Sequence, residues 1–186
     1  MLGAIVVDIV GSVYEFSNIK TKDFELFKPS CRYTDDTIMT CAVTDAIMNG
    51  GSESNFIRSK KYGRMYPHAG YGGRFRVWLR SMDTEPYNSF GNGAAMRVSP
   101  CAWVMDCGFC ARTGIWPSRD LARLSASITH NHPEGIKGAL AVCDAIFMAR
   151  FYSDECKRRM KEHIENEYGY DLSVSLDSIR KDYEFD

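Results

Sequence analysis

The sequence predicts an all-α fold, and three observations carry that reading. Apolar residues recur at three- and four-residue steps along most of the chain, capping residues and glycines bracket those stretches, and the one strand-like segment has no evident partner strand. With 186 residues, 45% of them hydrophobic, the chain is sized to bury a real core, and a single domain over 1–186 is expected.

Taken in order, the first element is the least regular. Ala4 to Val10 has strand propensity without clean alternation. A lone strand in a helical domain cannot satisfy its backbone groups, so the segment reads as a buried helix. After Thr34-Asp35, a natural N-cap pair, Ile38, Met39, Ala42, Val43, Ala46 and Ile47 form a helical stripe that Gly50-Gly51 stops. Phe75, Trp78, Leu79 and Met82 form the next stripe, with Arg74, Arg76 and Arg80 on its solvated side. Leu121, Leu124, Ser125 and Ile128 follow Ser118 as the expected cap. Pro133 opens a helix through Ile136, Ala139, Leu140, Cys143 and Phe147. Ser153 is expected to open a helix carrying Met160, His163 and Ile164, and Ser175 a short one carrying Leu176, Ile179 and Tyr183.

Charge and cysteine usage narrow the class of protein. Lys and Arg total 23 against 24 Asp and Glu, a balance that argues against nucleic acid as the main partner. No apolar run approaches the roughly 20 residues of a membrane span. The N-terminal stretch lacks a basic region and holds Asp8, so it does not read as a signal peptide, and a cytoplasmic protein is expected. In a reducing compartment the seven cysteines are mostly small buried hydrophobes. Cys107-Gly-Phe-Cys110, with Cys101 before it, has no second paired motif, and zinc is not expected there.

The loops carry the chemistry. Tyr66 to Gly73, Pro86 to Gly93 and Thr129 to Gly135 each combine glycine with polar or aromatic residues ahead of a helix. Such turns aim backbone N–H groups at one spot and suit a phosphate or diphosphate; simple capping is the better explanation of any one of them alone, and the three together shift the balance toward a ligand. Thr34-Asp35-Asp36-Thr37 places two carboxylates and two hydroxyls on one turn, which suits a hard divalent ion, although an N-cap with first-turn acids accounts for part of the cluster. Glu15, just past Gly11-Ser12, is placed to project an acid into a cleft. Asp8 reads as a structural hydrogen-bond acceptor. His130 and His132 fit helix capping and ligand contact as well as a transition metal, and neither is the first choice as a base. Gly91-Asn92-Gly93 lacks the spacing of a P-loop or a dinucleotide fingerprint.

In order along the chain, Gly3-Ala4-Ile5, Asp8-Ile9-Val10-Gly11-Ser12 with Glu15-Phe16, Tyr33-Thr34-Asp35-Asp36-Thr37, Tyr71-Gly72-Gly73, Ser89-Phe90-Gly91-Asn92-Gly93-Ala94-Ala95-Met96-Arg97 and Thr129-His130 through Gly135 form one pattern. It resembles the ADP-ribosylglycohydrolase family, of the dinitrogen-reductase-activating glycohydrolase type, from Gly3 to about Asp186. The resemblance implies a compact orthogonal helical bundle whose cleft holds two Mg2+ or Mn2+ ions and an ADP-ribose unit. It implies hydrolysis of the N- or O-glycosidic bond at ribose C1'' of ADP-ribosylated proteins or related compounds. By matching position, Thr34, Asp35 and Asp36 look like metal ligands, and Glu15, Asp35 and Asp36 like the catalytic acids. Ser89, Phe90, Gly91, Asn92 and Gly93 look like the loop that holds diphosphate and ribose, with Tyr71, Gly72 and His130 lining the same cleft.

Two departures from the pattern shape the expectations. Val7 stands where the family often has Gly before Asp8. Family members also continue past the Tyr183-Glu184-Phe185-Asp186 region into a helical stretch with an Asp-x-Asp-Thr metal motif, which occurs nowhere in this sequence; Asp171, Asp177 and Asp182 are singly placed. The chain is therefore expected to be C-terminally shortened, to supply about half of a two-metal ligand set and to bind one ion loosely. A homo-oligomer, or a partner chain that covers the cleft side, is expected in consequence. The alternative function is an ADP-ribose or nucleotide binding module with impaired catalysis, or a truncated family member acting through a partner.

Overall fold

The computed structural model describes residues 1–104, 117–151, 156–180 and 182–183. Among the described residues every regular element is helical. They are α1 (Leu2–Gly11), α2 (Asp35–Met48), α3 (Glu53–Arg58), α4 (Lys60–Met65), α5 (Gly73–Arg80), α6 (Gly93–Met96), a 3-10 turn (Cys101–Trp103), α7 (Pro117–Ser127), α8 (Pro133–Phe151), α9 (Cys156–Tyr168) and α10 (Leu176–Ile179). None of these helices is long and apolar enough to cross a membrane.

α2 is the central rod. Thr34 is extended, and its hydroxyl accepts the Asp36 N–H at 3.3 Å, while Asp35 and Asp36 occupy the first turn, where the helix dipole favours acids. At the other end Gly50 and Gly51 take φ values of 106° and 65°. Their N–H groups donate back to Ile47 and Ala46, a left-handed stop that a side chain would strain. Between the caps, Ile38, Met39, Ala42, Val43 and Ala46 are buried. Phe56 of α3, Phe75, Trp78 and Leu79 of α5, Ala94 of α6, Ala122 and Ala126 of α7, and Ala139, Leu140 and Cys143 of α8 pack into the same core. The expected arginine face of α5 is exposed, with Arg74, Arg76 and Arg80 in solvent.

The first segment is helical, as its lack of a partner strand implied, but it is not a buried helix. Asp8 and Val10 are covered, whereas Leu2 is 79% and Val7 70% exposed. α1 packs one side against α2, and the side that carries Leu2 and Val7 is exposed. Ser118 is not a cap either: it is buried inside α7, where its carbonyl accepts from the Cys143 thiol. Ser153, Cys107 and Cys110 lie outside the described residues, as do Glu184, Phe185 and Asp186. Cys101 and Cys143 are buried, and burial pushes the Cys143 thiol up to about 12, so it packs as a small inert hydrophobe.

α7, α8 and α9 are tied together by one carboxylate. Asp144 of α8 accepts two 3.0 Å bonds from Arg119 Nε of α7, and bonds from Tyr168 Oη at 2.6 Å and His163 Nε2 at 3.0 Å on α9. Burial opposes ionisation there, but the donors, Arg119 foremost, outweigh it and hold the Asp144 carboxyl below the usual range.

Candidate functional site

The site is built outward from Asp8. Its buried carboxylate accepts the main-chain N–H groups of Thr34 at 2.9 Å and Thr37 at 3.2 Å, together with both threonine hydroxyls. Asp8 thus does for the first turn of α2 what a capping side chain does, reaching across from α1. The next turn out is aimed by that grip. Asp35 donates its N–H to the Ala69 carbonyl at 2.7 Å, and Gly70 lies so close that a Cβ on it would stand 3.2 Å from Asp35 Oδ1.

Four carboxylates crowd this corner, and two of them are perturbed. Burial, followed by the charge of Asp36 and those of Glu15 and Asp8, pushes the Asp35 carboxyl up to about 7; burial and the charges of Asp8 and Glu15 push Asp36 up to about 6. Among the described residues neither acid has a cationic partner. Hard carboxylate oxygens without a protein cation are the donor type that a divalent metal takes, and Asp35 and Asp36 are the residues here that could supply them. Thr34 Oγ1 donates to Asp8 and accepts from Asp36 N, which leaves one lone pair for a further partner. The described residues contain no group of three or more His, Cys, Asp or Glu side chains arranged to hold an ion.

Opposite the acids stands the glycine loop. A cavity of about 300 Å³ is lined by Asp35, Gly72, Ser89, Gly91, Asn92 and Gly93, with His130 and Arg97 at its back. The loop is pinned to the segment before α8: Asn88, in the left-handed region, donates its N–H to Asn131 Oδ1 at 2.8 Å, and Ser89 donates to the Thr129 carbonyl. The Ser89 hydroxyl then accepts the Gly91 N–H at 3.3 Å, closing a local turn. His132 caps α8 by accepting the Glu134 N–H, and its ring stands 5.5 Å from that of Phe90.

The structure thus brings Asp35, Gly72, Ser89, Gly91, Asn92, Gly93 and His130 to one cavity. Glu15 lies near enough to act on both Asp35 and Asp36 through its charge but does not line that cavity, nor do Thr34 and Asp36. Tyr71 sits behind the cleft: its ring is buried in the core against Phe75, and its hydroxyl has no hydrogen-bond partner among the described residues. Phe90 faces a second, mostly apolar cavity of about 670 Å³, bounded by Gly91 and Asn92, Ala141, Ile164 and Tyr170.

Arg97 ends a motif that the sequence shows, but its type and position there assign it no role. It is 1% exposed, donates to the Ser125 carbonyl and Thr129 Oγ1, and has no carboxylate partner among the described residues; its Nε has no hydrogen-bond partner there. Burial lowers its pKa to about 10, which leaves it charged at neutral pH. The available signal was its setting, a lone arginine between Ala94-Ala95-Met96 and Val98 in an otherwise apolar run.

The helical fold thus brings the acid turn, the glycine loop and the buried Arg97 guanidinium to one cavity. The sequence model of the ADP-ribosylglycohydrolase family matches residues 1–181, and the chain belongs to that family. It is also similar to ADP-ribosylhydrolase ARH3 of Mus musculus, at 27% identity over an alignment 182 positions long, which takes in 80% of this chain and 47% of the mouse protein. The chain therefore spans about half the length of that curated relative.

Proposed function

We propose that the chain acts as a metal-dependent ADP-ribosyl glycohydrolase. The observation that carries this reading is the position of Gly91 and Asn92, which wall two cavities at once. On one side lie Asp35 and His130; on the other, an apolar surface with Phe90 and Tyr170 at its edge. An ADP-ribosyl group has that sequence of parts: a ribose with cis hydroxyls, a diphosphate and an adenosine. The distal ribose belongs on the acid side, the diphosphate over the loop with the Arg97 charge beneath it, and the adenine in the apolar cavity.

Thr34, Asp35 and Asp36 would hold Mg2+ or Mn2+, which supplies charge stabilisation at the reacting ribose. The chain's own residues do the rest. Asp35, at the wall of the cavity, accepts hydrogen bonds and so orients the ribose hydroxyls and a water toward C1'', with Asp36 and Glu15 beside it supplying the surrounding negative charge. Ser89 and the loop hold the diphosphate, and the Gly72 backbone and His130 close the sides. Water adds at C1'' as the bond to the acceptor nitrogen or oxygen breaks, and the departing atom takes a proton.

Calorimetry with ADP-ribose, and hydrolysis of ADP-ribosyl-serine and ADP-ribosyl-arginine peptides with Mg2+ or Mn2+, test the proposal. Release of free ADP-ribose that is lost in Asp35→Asn is expected. Binding of ADP-ribose without turnover of either peptide would make the chain a binding module, and absence of binding would overturn the assignment of the cleft.

A further inference from the structure

His130 is the histidine of the cleft, and the groups behind it determine which ring nitrogen carries its proton. A guanidinium can only donate. Arg97 Nη2 donates to the Ser125 carbonyl at 2.7 Å and to Thr129 Oγ1 at 2.8 Å. Thr129 is 0% exposed, and the same Oγ1 stands 2.8 Å from His130 Nδ1. A hydroxyl has one proton and two acceptor sites. With one acceptor site taken by Arg97, the only acceptor offered to the Thr129 proton among the described residues is His130 Nδ1. The reverse bond, from Nδ1–H to Thr129, would leave that proton buried and unpaired at the full desolvation cost of a hydroxyl. It would also turn an N–H dipole toward the Arg97 charge. Burial and Arg97 further lower the His130 pKa to about 3, so the ring is neutral.

The other nitrogen faces the ligand. His130 Nε2 has no hydrogen-bond partner among the described residues, and it lies against the loop: a Cβ on Gly93 would stand 3.1 Å from it. We propose that Arg97 and Thr129 are positioning residues that hold His130 as the neutral Nε2–H tautomer, so that the cleft presents a fixed hydrogen-bond donor beside Gly93 to an oxygen of the ADP-ribosyl group. His130 is then a donor and not an acid or base of the reaction. The identity of the accepting oxygen rests on the ADP-ribosyl reading above; the tautomer does not.

The test is a long-range 1H–15N spectrum of the full chain labelled at histidine, with His130 assigned by comparison with His130→Gln. An unprotonated Nδ1 and a protonated Nε2, unchanged from about pH 5 to about pH 8, are expected. A protonated Nδ1, or an imidazolium at about pH 5, would overturn the relay. Thr129→Val, which keeps the shape and removes the hydroxyl, is expected to mix the two tautomers and weaken ADP-ribose about tenfold, while Thr129→Ser restores both signals to within about twofold. Equal weakening in the serine and valine variants, with the tautomer intact in each, would show Thr129 to be structural only. ADP-ribose should also shift the His130 Nε2–H signal. Binding that leaves that signal unmoved overturns the donor role; a chain that shows the tautomer but binds no ADP-ribose overturns the assignment of the cleft and leaves the relay standing.

Discussion

Asp8 and Thr34, 26 residues apart in sequence, are joined twice: the Thr34 N–H donates to Asp8 Oδ2 at 2.9 Å, and the Thr34 hydroxyl donates to Asp8 Oδ1. The same carboxylate holds the N–H and hydroxyl of Thr37, so the entrance of α2 is fixed by α1 rather than by its own cap alone. The acid turn that faces the cleft therefore depends on a residue that need not touch a ligand.

Replacing that carboxylate should loosen the site and the fold together. Asp8→Ala leaves the buried Thr34 hydroxyl, the half-buried Thr37 hydroxyl and the N–H groups of both residues without their acceptor, and a loss of about 3 kcal/mol is expected from charge-assisted bonds of this kind. Urea unfolding measures the loss directly. Affinity for Mn2+ should fall as well, because Asp35 and Asp36 lose the anchor that orders their turn.

The acid pair itself has the opposite effect on stability. A carboxyl with a raised folded pKa binds more protons folded than unfolded between its two values, so stability falls as pH rises through that window. For Asp35 the window runs from its model-compound value of 3.8 to about 7, and for Asp36 from 3.8 to about 6. In metal-free buffer, Asp35→Asn should raise the melting temperature at pH 8 and leave it nearly unchanged at about pH 4. Added Mg2+ or Mn2+ should raise the wild-type value at pH 8 and do much less for the variant. Thermal scans in chelator and in metal check both signs, and an asparagine variant less stable at pH 8 would show that the crowding is relieved in some other way.

Much of this arrangement was legible in the sequence where one residue's local chemistry decides the outcome. Thr34 as a cap, the Gly50-Gly51 stop and Asp8 as a buried acceptor follow from residue type and neighbours alone. What depended on packing was not legible. α3 and α4 have six residues each, too few to repeat an apolar stripe, and residues 53–65 carry no long periodic run. The helical nature of α1 followed from the missing partner strand, but its exposure depends on which elements surround it. Tyr71 belongs to a motif with Gly72, yet the backbone sends the glycine into the cleft and the tyrosine ring into the core. Arg97 closes the Ser89 to Arg97 motif but had no role assigned, because arginine is ordinarily at the surface and only the fold shows its guanidinium beside Thr129 and His130.

The contact between the two loops makes a sharper test of the cleft's shape. A Cβ on Gly135 would stand 2.7 Å from the Ser89 carbonyl oxygen and 3.1 Å from His130 Cβ. Because the first of these is backbone, the loop has to move. Gly135→Ala is expected to cost about 1–3 kcal/mol, in the range of overpacked sites, and to weaken ADP-ribose by displacing Ser89. Melting and calorimetric titration of the same variant separate the two effects.

Phe90 offers the complementary case, a residue with little bearing on the fold. Its ring is 71% exposed and borders the apolar cavity on the far side of Gly91 and Asn92 from Asp35. Truncating an exposed side chain removes little buried area, so Phe90→Ala should leave the melting temperature within a degree or two of the wild type. If the adenine occupies that cavity, the ring is covered on binding, and its loss should weaken ADP-ribose about tenfold, the scale of an aromatic contact together with the apolar area it buries. Ribose 5-phosphate, which has no adenine, should bind wild type and variant alike. The comparison is therefore between two ligands on two proteins: equal weakening of both ligands would move the adenine out of that cavity and leave Phe90 as a wall of the diphosphate loop alone.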